Sequence, residues 1–517
     1  MRARSVIPIA LIASACLIAH SVEVEPVAKP ERAGDSVVVT TPVKAHLVDG
    51  ATVVFADGVR VVRDTVWGSG FRYDIALRDS ADVEQLPLDS VVGLEAFRTT
   101  TDPSKTALYS SLATLGTIGA VIAIACISDP KCFGSCPTYY SDSSGTAVLE
   151  AEGFSYSVAP LFEARDVDRL RTQPRDGALS LEVRNEAFET HYINHLQLLE
   201  VQHSAAELAL PDQDNRPIVV DGFVTPAQAR DRQGRDVRTL LQTAEGTVYR
   251  TDPRTLAHAD SADLDDWIDV TVPVPSGADS VALVLRLRNS LLNTILFYDI
   301  MLGDPGARSL DWISHDLEQV GPAVELAQWY QRRMGMRIAV RGPDGFAALA
   351  RLKDTGPVAW KDVGIVVPVL ERDSVRLRLS FPADNWRIDR VAVASRFRHP
   401  AVTAYPLAEV RDAREQVDTA ARASLAAADQ RYLVTTGGSR FSVTFATRDA
   451  PPGARRTFFL ESQGYYSEWV RSGWLTAPRT TSTFRPSDAR LGDAIARWRV
   501  TQDTLEARFM ATRVPVR

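Results

Sequence analysis

Three groups of residues have the types and spacing that chemistry needs. His191 and His195 stand four apart, with His203 beyond them. On a helix the first two share a face and can hold a metal; on a strand all three share one. The surrounding Tyr192, Ile193, Leu196, Leu198, Leu199 and Val201 suit a strand buried on both sides, so structural histidines are the expectation. Asp260, Asp263, Asp265, Asp266 and Asp269 crowd carboxylates just before an alternating apolar run. They make a calcium candidate, since calcium takes roughly six to eight oxygens. The EF-hand spacing with its central glycine is absent, and a solvated loop is the competing reading. Tyr465, Tyr466, Trp469 and Trp474 follow Arg455-Arg456 and form a candidate ligand surface. Rings beside cations stack on a sugar or on another protein, or else pack a last domain. No Gly-x-Ser-x-Gly elbow, His-Glu-x-x-His helix or phosphate loop occurs, and Gly68-Ser69-Gly70 lacks a third glycine. No catalytic residue is assigned, and no cofactor is expected.

Four cysteines complete the reactive inventory: Cys16, Cys126, Cys132 and Cys136. Arg2 and Arg4 precede the apolar run Val6–Ile12, and the small residues Ala13 and Ala15 lead into Cys16. A basic start, a short apolar stretch and a small-residue cut site read as an export signal. The stretch also looks like a bacterial lipoprotein signal, with Cys16 as the lipidated residue, although Ala13 stands where a larger aliphatic residue is commoner. Plain secretion and an uncleaved anchor are the alternatives. The apolar run is short for a span, which needs roughly 17–25 residues. Outside the cytoplasm, Cys132-Phe-Gly-Ser-Cys136 can close a small disulfide loop.

These residues need a scaffold, and the pattern of the chain predicts one rich in strands. The 517 residues are 45% apolar and 24% charged, which excludes global disorder and a polytopic membrane protein. Lys+Arg of 58 against Asp+Glu of 65 leaves a net charge of -7, so no nucleic-acid partner is expected. Residues 1–21 read as the signal and 22–41 as a tether. Residues 42–104 read as a small β module whose hairpins turn at Asp49-Gly50 and Asp57-Gly58, pairs that supply the positive φ of tight turns. Residues 105–129 read as a hydrophobic helix. Thr106–Ser128 is uncharged and long enough to span, yet export followed by a single span would return the rest of the chain to the cytoplasm. The expectation is a helix that packs on protein or lies against lipid without crossing. A β domain over 130–225, a β-sandwich with helical insertion over 226–400, and a C-terminal helix plus β region over 401–517 follow. Within them Leu292–Tyr298 reads as a strand, Leu310–Val320 and Ala323–Met334 as helices divided by Gly321-Pro322, and Leu407–Ala428 as a helix. The fold class is mostly β: a strand meander, a hydrophobic helix, then sandwich-like domains with a few inserted helices.

The stretch Cys132-Phe-Gly-Ser-Cys136-Pro137-Thr-Tyr139, followed by Leu149-Glu-Ala-Glu-Gly153 and Asn185-Glu186-Ala-Phe-Glu189-Thr190-His-Tyr192, resembles uncharacterised bacterial envelope proteins. In those, a Ser-Cys-Pro-x-x-Tyr segment follows a hydrophobic helix and precedes a β domain. The resemblance covers about residues 43–300 and implies location and architecture, with no activity to carry over. Asp384-Asn-Trp386-Arg-Ile388-Asp389-Arg-Val391 is similar to the closing strands of extracellular jelly-roll sandwiches. The resulting expectation is a non-catalytic cell-envelope protein in the periplasm or outer membrane. It is held to the membrane by an N-terminal lipid, and binds or assembles with an envelope protein or glycan. A secreted hydrolase or carbohydrate-active enzyme with an accessory sandwich is the alternative.

Overall fold

The computed structural model describes residues 20–101, 136–297, 320–468 and 486–511, short breaks within these stretches excepted. Among the described residues strands dominate and are arranged in four sheets, and the protein is mostly β. The meander consists of Val43–Leu47, Thr52–Phe55, Val59–Val62, Thr65–Tyr73, Ser80–Pro87 and Val91–Thr101. Alternation sends Val43, Ala45, Val53, Phe55, Val61 and Val66 into one buried core. At the Asp57-Gly58 turn, Gly58 has φ +86, and a Cβ there would strike the Val39 carbonyl, so only glycine fits. The stretch read as a tether supplies two more strands. His20–Pro26 pairs with Val91–Thr101, and Ser36–Val39 pairs with Val59–Val62. The first of these alternates valine with glutamate, the two-residue period of a strand. Residues 1–19 and the segment Thr106–Ser128 lie outside the described residues, and with them Cys16, Cys126 and Cys132. Among the described residues no helix is long and apolar enough to cross a membrane.

The second sheet joins distant parts of the chain. Its order is Thr146–Glu152, Thr138–Ser143, Ala178–Arg184, Arg440–Ala446, Val402–Arg411, Glu189–His203, Arg455–Glu468 and Ala164–Arg169, with Leu433–Thr435 beside Glu189–His203. Between Glu189–His203 and Val402–Arg411, which pair from Gln197↔Pro406 to Val201↔Val402, the chain makes a complete sandwich and returns. The divisions expected at 225 and 400 therefore separate strands of one sheet. Local alternation shows that a segment is a strand but not which strand it pairs with.

The inserted sandwich is two five-stranded sheets. One runs Leu208–Pro211, Pro217–Val224, Trp386–Arg398, Ser280–Asn289, Lys361–Pro368; the other runs Gln228–Asp231, Asp265–Pro273, Ser374–Pro382, Met336–Gly342, Gly345–Leu352. Leu283, Leu285, Ile365 and Val391 of the first belong to one core with Ile268, Val270, Leu377 and Leu379 of the second, together with Trp386 and Phe381. Each such side chain contributes about 1.5–3 kcal/mol on burial.

Two expected elements differ. Leu292–Tyr298, read as a strand, is helical at Leu292–Thr294: Leu291, Leu292, Ile295 and Leu296 are all buried, and the Ser290 hydroxyl accepts from Leu292 N at 3.1 Å to start the turn. A seven-residue run is too short for its apolar spacing to choose strand over helix. Leu407–Ala428, read as one helix, divides into the strand Val402–Arg411 and the helix Thr419–Ser424. Leu407 and Val410 enter the sheet core, Glu415 turns the chain at φ +60, and Asp418 caps the short helix by accepting from Ala421 N at 2.8 Å. The helix Val320–Arg333 holds Gly321-Pro322 in its first turn, where proline costs no hydrogen bond. Most of Leu310–Val320 lies outside the described residues.

A last helix, Asp488–Ala511, was not anticipated. Ser487 caps it, and Leu491, Ala494, Ile495 and Trp498 form one buried stripe against Leu326, Trp329 and Leu296. Its anchor is polar as well as apolar. Trp498 Nε1 donates to Asp384 Oδ2 at 2.7 Å, Arg387 donates to Asp384 Oδ1 at 2.8 Å, and Arg387 reaches Glu506 of the helix at 2.8 Å.

Candidate functional site

Glu189–His203 and Arg455–Glu468 pair along their whole lengths, and the register breaks once. Ile193 faces Gly464 and His195 faces Gln463, so Asn194 is the extra residue of a bulge. Gly464 has no room for a side chain: a Cβ would strike the Tyr192 carbonyl and lie 2.8 Å from Phe154 Cζ. The bulge aims Asn194 sideways. Its Nδ2 donates to Glu163 Oε1 at 2.7 Å, and its Oδ1 accepts from Asp429 N at 3.0 Å. Glu163 also accepts from Gln463 Nε2 at 2.9 Å and from the Tyr432 hydroxyl at 2.8 Å, so both its oxygens are fixed by the protein.

Beside this carboxylate three rings meet. Tyr192 and Tyr465 lie opposite each other across the two strands and stack at 4.5 Å, 9° from parallel. Tyr432 stands edge-on to both, at 6.3 Å and 5.5 Å. Val434, 52% exposed, lies opposite Tyr192 on the neighbouring strand and extends the apolar patch to solvent. The same sheet face continues as a polar track. His195 and Gln463 are register partners, Glu461 follows, and Glu461 Oε2 accepts from Arg165 at 2.6 Å. Arg165 also donates to the Asn215 carbonyl of the sandwich at 3.0 Å. His195 Nδ1 donates to the Leu425 carbonyl at 3.2 Å, which leaves Nε2 as the acceptor nitrogen of the neutral ring. Burial holds the His195 pKa below the usual imidazole value against the nearby Glu461.

The remaining candidates are distributed. Of the aromatic quartet, Tyr465 joins the cluster. Tyr466 faces the opposite way, its hydroxyl donating to the Ser155 carbonyl at 3.2 Å. Trp469 and Trp474 lie outside the described residues. The bulge also separates the histidines: His191 faces inward with Tyr466 and sits 2.6 Å from Glu189 Oε1, while His195 is on the other face. Asp260 lies outside the described residues. Asp263 makes a two-bond pair with Arg232, and Asp265 lies 2.6 Å from Arg337. Asp269 lies 2.7 Å from Arg378. Asp266, on the inner face of the strand, accepts from the Thr251 and Tyr249 hydroxyls at 2.7 Å and 2.8 Å. Among the described residues no group of three or more His, Cys, Asp or Glu is placed to hold a metal. Cys136 is a buried free thiol. Burial, then Glu152 and Glu189, push it well above the usual thiol range, and its expected disulfide partner Cys132 lies outside the described residues.

Glu163, Asn194, Tyr192 and Tyr432 were missed in the sequence. Tyr192 stood among residues read as a strand buried on both sides, so nothing local marked it as part of a site. Glu163 and Tyr432 are far apart in the chain and carried no signal.

No family model matches the chain, and no curated protein matches it. Among solved structures it is similar to a cycloalternan-forming enzyme from Listeria monocytogenes, at 10% identity and TM-score 0.16, covering 72% of this chain and 30% of that one. The GH31 alpha-xylosidase from Xanthomonas citri gives 10% identity and TM-score 0.15 over 84% of this chain and 38% of that one. An exo-beta-1,3-galactanase from Phanerochaete chrysosporium gives 8% identity and TM-score 0.16 over 69% and 82%. The chain thus spans less than two fifths of the first two enzymes, and at these scores the likeness assigns neither fold nor activity.

Proposed function

We propose that the chain is an exported, membrane-attached, non-catalytic component of a bacterial cell envelope, and that the face built on Tyr192, Tyr432 and Tyr465 holds a glycan. The observation that carries the reading is one sheet face with an aromatic cluster next to fixed polar groups. Sugars present apolar C–H faces and hydroxyl edges together; Gln463 and Tyr432, half-buried, are the polar groups a hydroxyl can reach, and the buried Glu163, itself held by Asn194, fixes both. Both oxygens of Glu163 already accept from the protein, which suits a positioning group.

The test is calorimetric titration of the full chain with envelope polysaccharide fragments. Tyr432→Ala is expected to weaken binding about tenfold, roughly 1.4 kcal/mol, and Tyr432→Phe to weaken it less because the ring remains. Equal affinities in all three proteins would remove the site from the proposal, and release of reducing ends would overturn its non-catalytic part.

Membrane attachment has its own test. A Cys16→Ser variant is expected to move from the membrane to the soluble fraction, because the acyl chains of a lipoprotein supply the anchoring. Unchanged retention, with no lipid mass on the native N-terminus, would refute lipidation.

A further inference from the structure

The sandwich meets the sheet that encloses it across a buried polar seam. Asp166 and Asp168 come from the strand Ala164–Arg169, and Lys361 opens the strand Lys361–Pro368 of the sandwich. Lys361 Nζ bonds Asp166 Oδ1 and lies 3.2 Å from Asp168 Oδ1. Asp166 is further satisfied by Val167 N at 3.0 Å and Phe154 N at 3.3 Å. Asp168 Oδ2 is buried and has no hydrogen-bond partner among the described residues.

Every element packed around Asp168 adds a group to the account. The strand Thr146–Glu152 adds Glu152, whose Oε2 accepts from Val358 N at 2.8 Å and Ala359 N at 3.0 Å across the seam. Tyr139 and Tyr156 face the aspartates, and burial holds both phenols protonated. On the aspartates' own strand, Arg165 is engaged with Glu461, and Arg169 pairs with Asp362 at 3.2 Å. Asp362 in turn shares Arg286 with Asp389. Arg288 lies close enough to interact with Glu152, so the single ammonium of Lys361 is shared by Asp166 and Asp168, and a buried surplus of negative charge there is costly.

We propose that Asp168 is a proton-operated latch on this seam: it carries a proton while sandwich and sheet are closed together and gives it up when they part. With Asp168 neutral, Lys361 and Asp166 form a balanced pair, and the bare Oδ2 is no longer a buried half-charge. Burial, offset by Lys361 and reinforced by Asp166, raises the Asp168 pKa to about 7. In the open state the group returns to its ordinary value near 3.8. A raised carboxyl pKa favours the closed state fully below the open-state value, and the preference is lost as pH rises through the closed-state value. The latch is therefore tight in mild acid and loosens between about pH 4 and pH 7.

Hydrogen exchange of the Val358 and Ala359 amides reads the seam directly, because both are bonded across it. In the full chain their protection factors are expected to fall by up to about tenfold per pH unit from pH 5 to 7, and to level off above. Asp168→Asn is expected to hold high, pH-independent protection over the same range. An unchanged slope in Asp168→Asn, or a flat profile in the native chain, would overturn the latch. If the variant does not fold, carboxyl carbon NMR of the native chain decides: an aspartate titrating near pH 7 supports the proposal, and none doing so ends it.

Discussion

Asp384→Ala should detach the C-terminal helix and cost about 3–5 kcal/mol. Asp384 is 1% exposed and binds Arg387 through both oxygens, Thr251 N at 3.2 Å and Trp498 Nε1 at 2.7 Å. Truncation leaves a 2%-exposed guanidinium with Glu506 as its remaining carboxylate partner and an indole N–H without an acceptor. The backbone adds to the loss: Asp384 sits at φ +60, which aspartate and asparagine tolerate better than alanine. Asp384→Asn should therefore fall between, since it keeps the turn and an acceptor for Trp498. Limited trypsin digestion is the measurement, with cleavage after Arg490, Arg497 or Arg499 expected early in Asp384→Ala. Resistance equal to the native protein would show that the apolar stripe alone holds the helix.

Lys361→Met should be as damaging at pH 8 and distinctly milder at pH 5. The methionine replaces the stem but leaves Asp166 and Asp168 buried without a cation, for which about 3–5 kcal/mol is the usual loss. Acid restores part of it, because protonating an uncompensated carboxylate removes the charge that has no partner. Thermal unfolding at the two pH values separates this from a packing defect, which lowers both melting points alike.

Much of the fold was legible because it is locally encoded. The Asp57-Gly58 hairpin needs a glycine φ that its sequence announces, and Ser374–Pro382 alternates Val375, Leu377, Leu379 and Phe381 inward without exception. The last helix was legible too, in the Ser487 cap and the spacing of Leu491, Ala494, Ile495 and Trp498. Leu407–Ala428 failed because its alanines and charges favour helix, whereas Leu407 and Val410 gain more by joining a sheet whose other strands lie elsewhere in the chain. Of the site, only Tyr465 and His195 were legible. Its stacking partner, its carboxylate and the bulge that aims Asn194 depend on a pairing between strands that no local pattern reports.

That pairing has a consequence for how the protein is made. Glu200 and Arg456, 256 residues apart in sequence, are neighbours in the folded sheet. During vectorial synthesis, Glu189–His203 emerges long before any of its three partner strands. Until then it presents bare edges, the condition under which strands add to the wrong chain. The inserted sandwich can close on itself in the interval, because all ten of its strands lie between Leu208 and Arg398. Once closed, it brings the two ends of the unfinished sheet together at Val201 and Val402, replacing a long, entropically expensive loop with a short one. The sandwich thus acts as an internal template, and variants that slow its closure should aggregate during biogenesis even where the finished protein is fully stable.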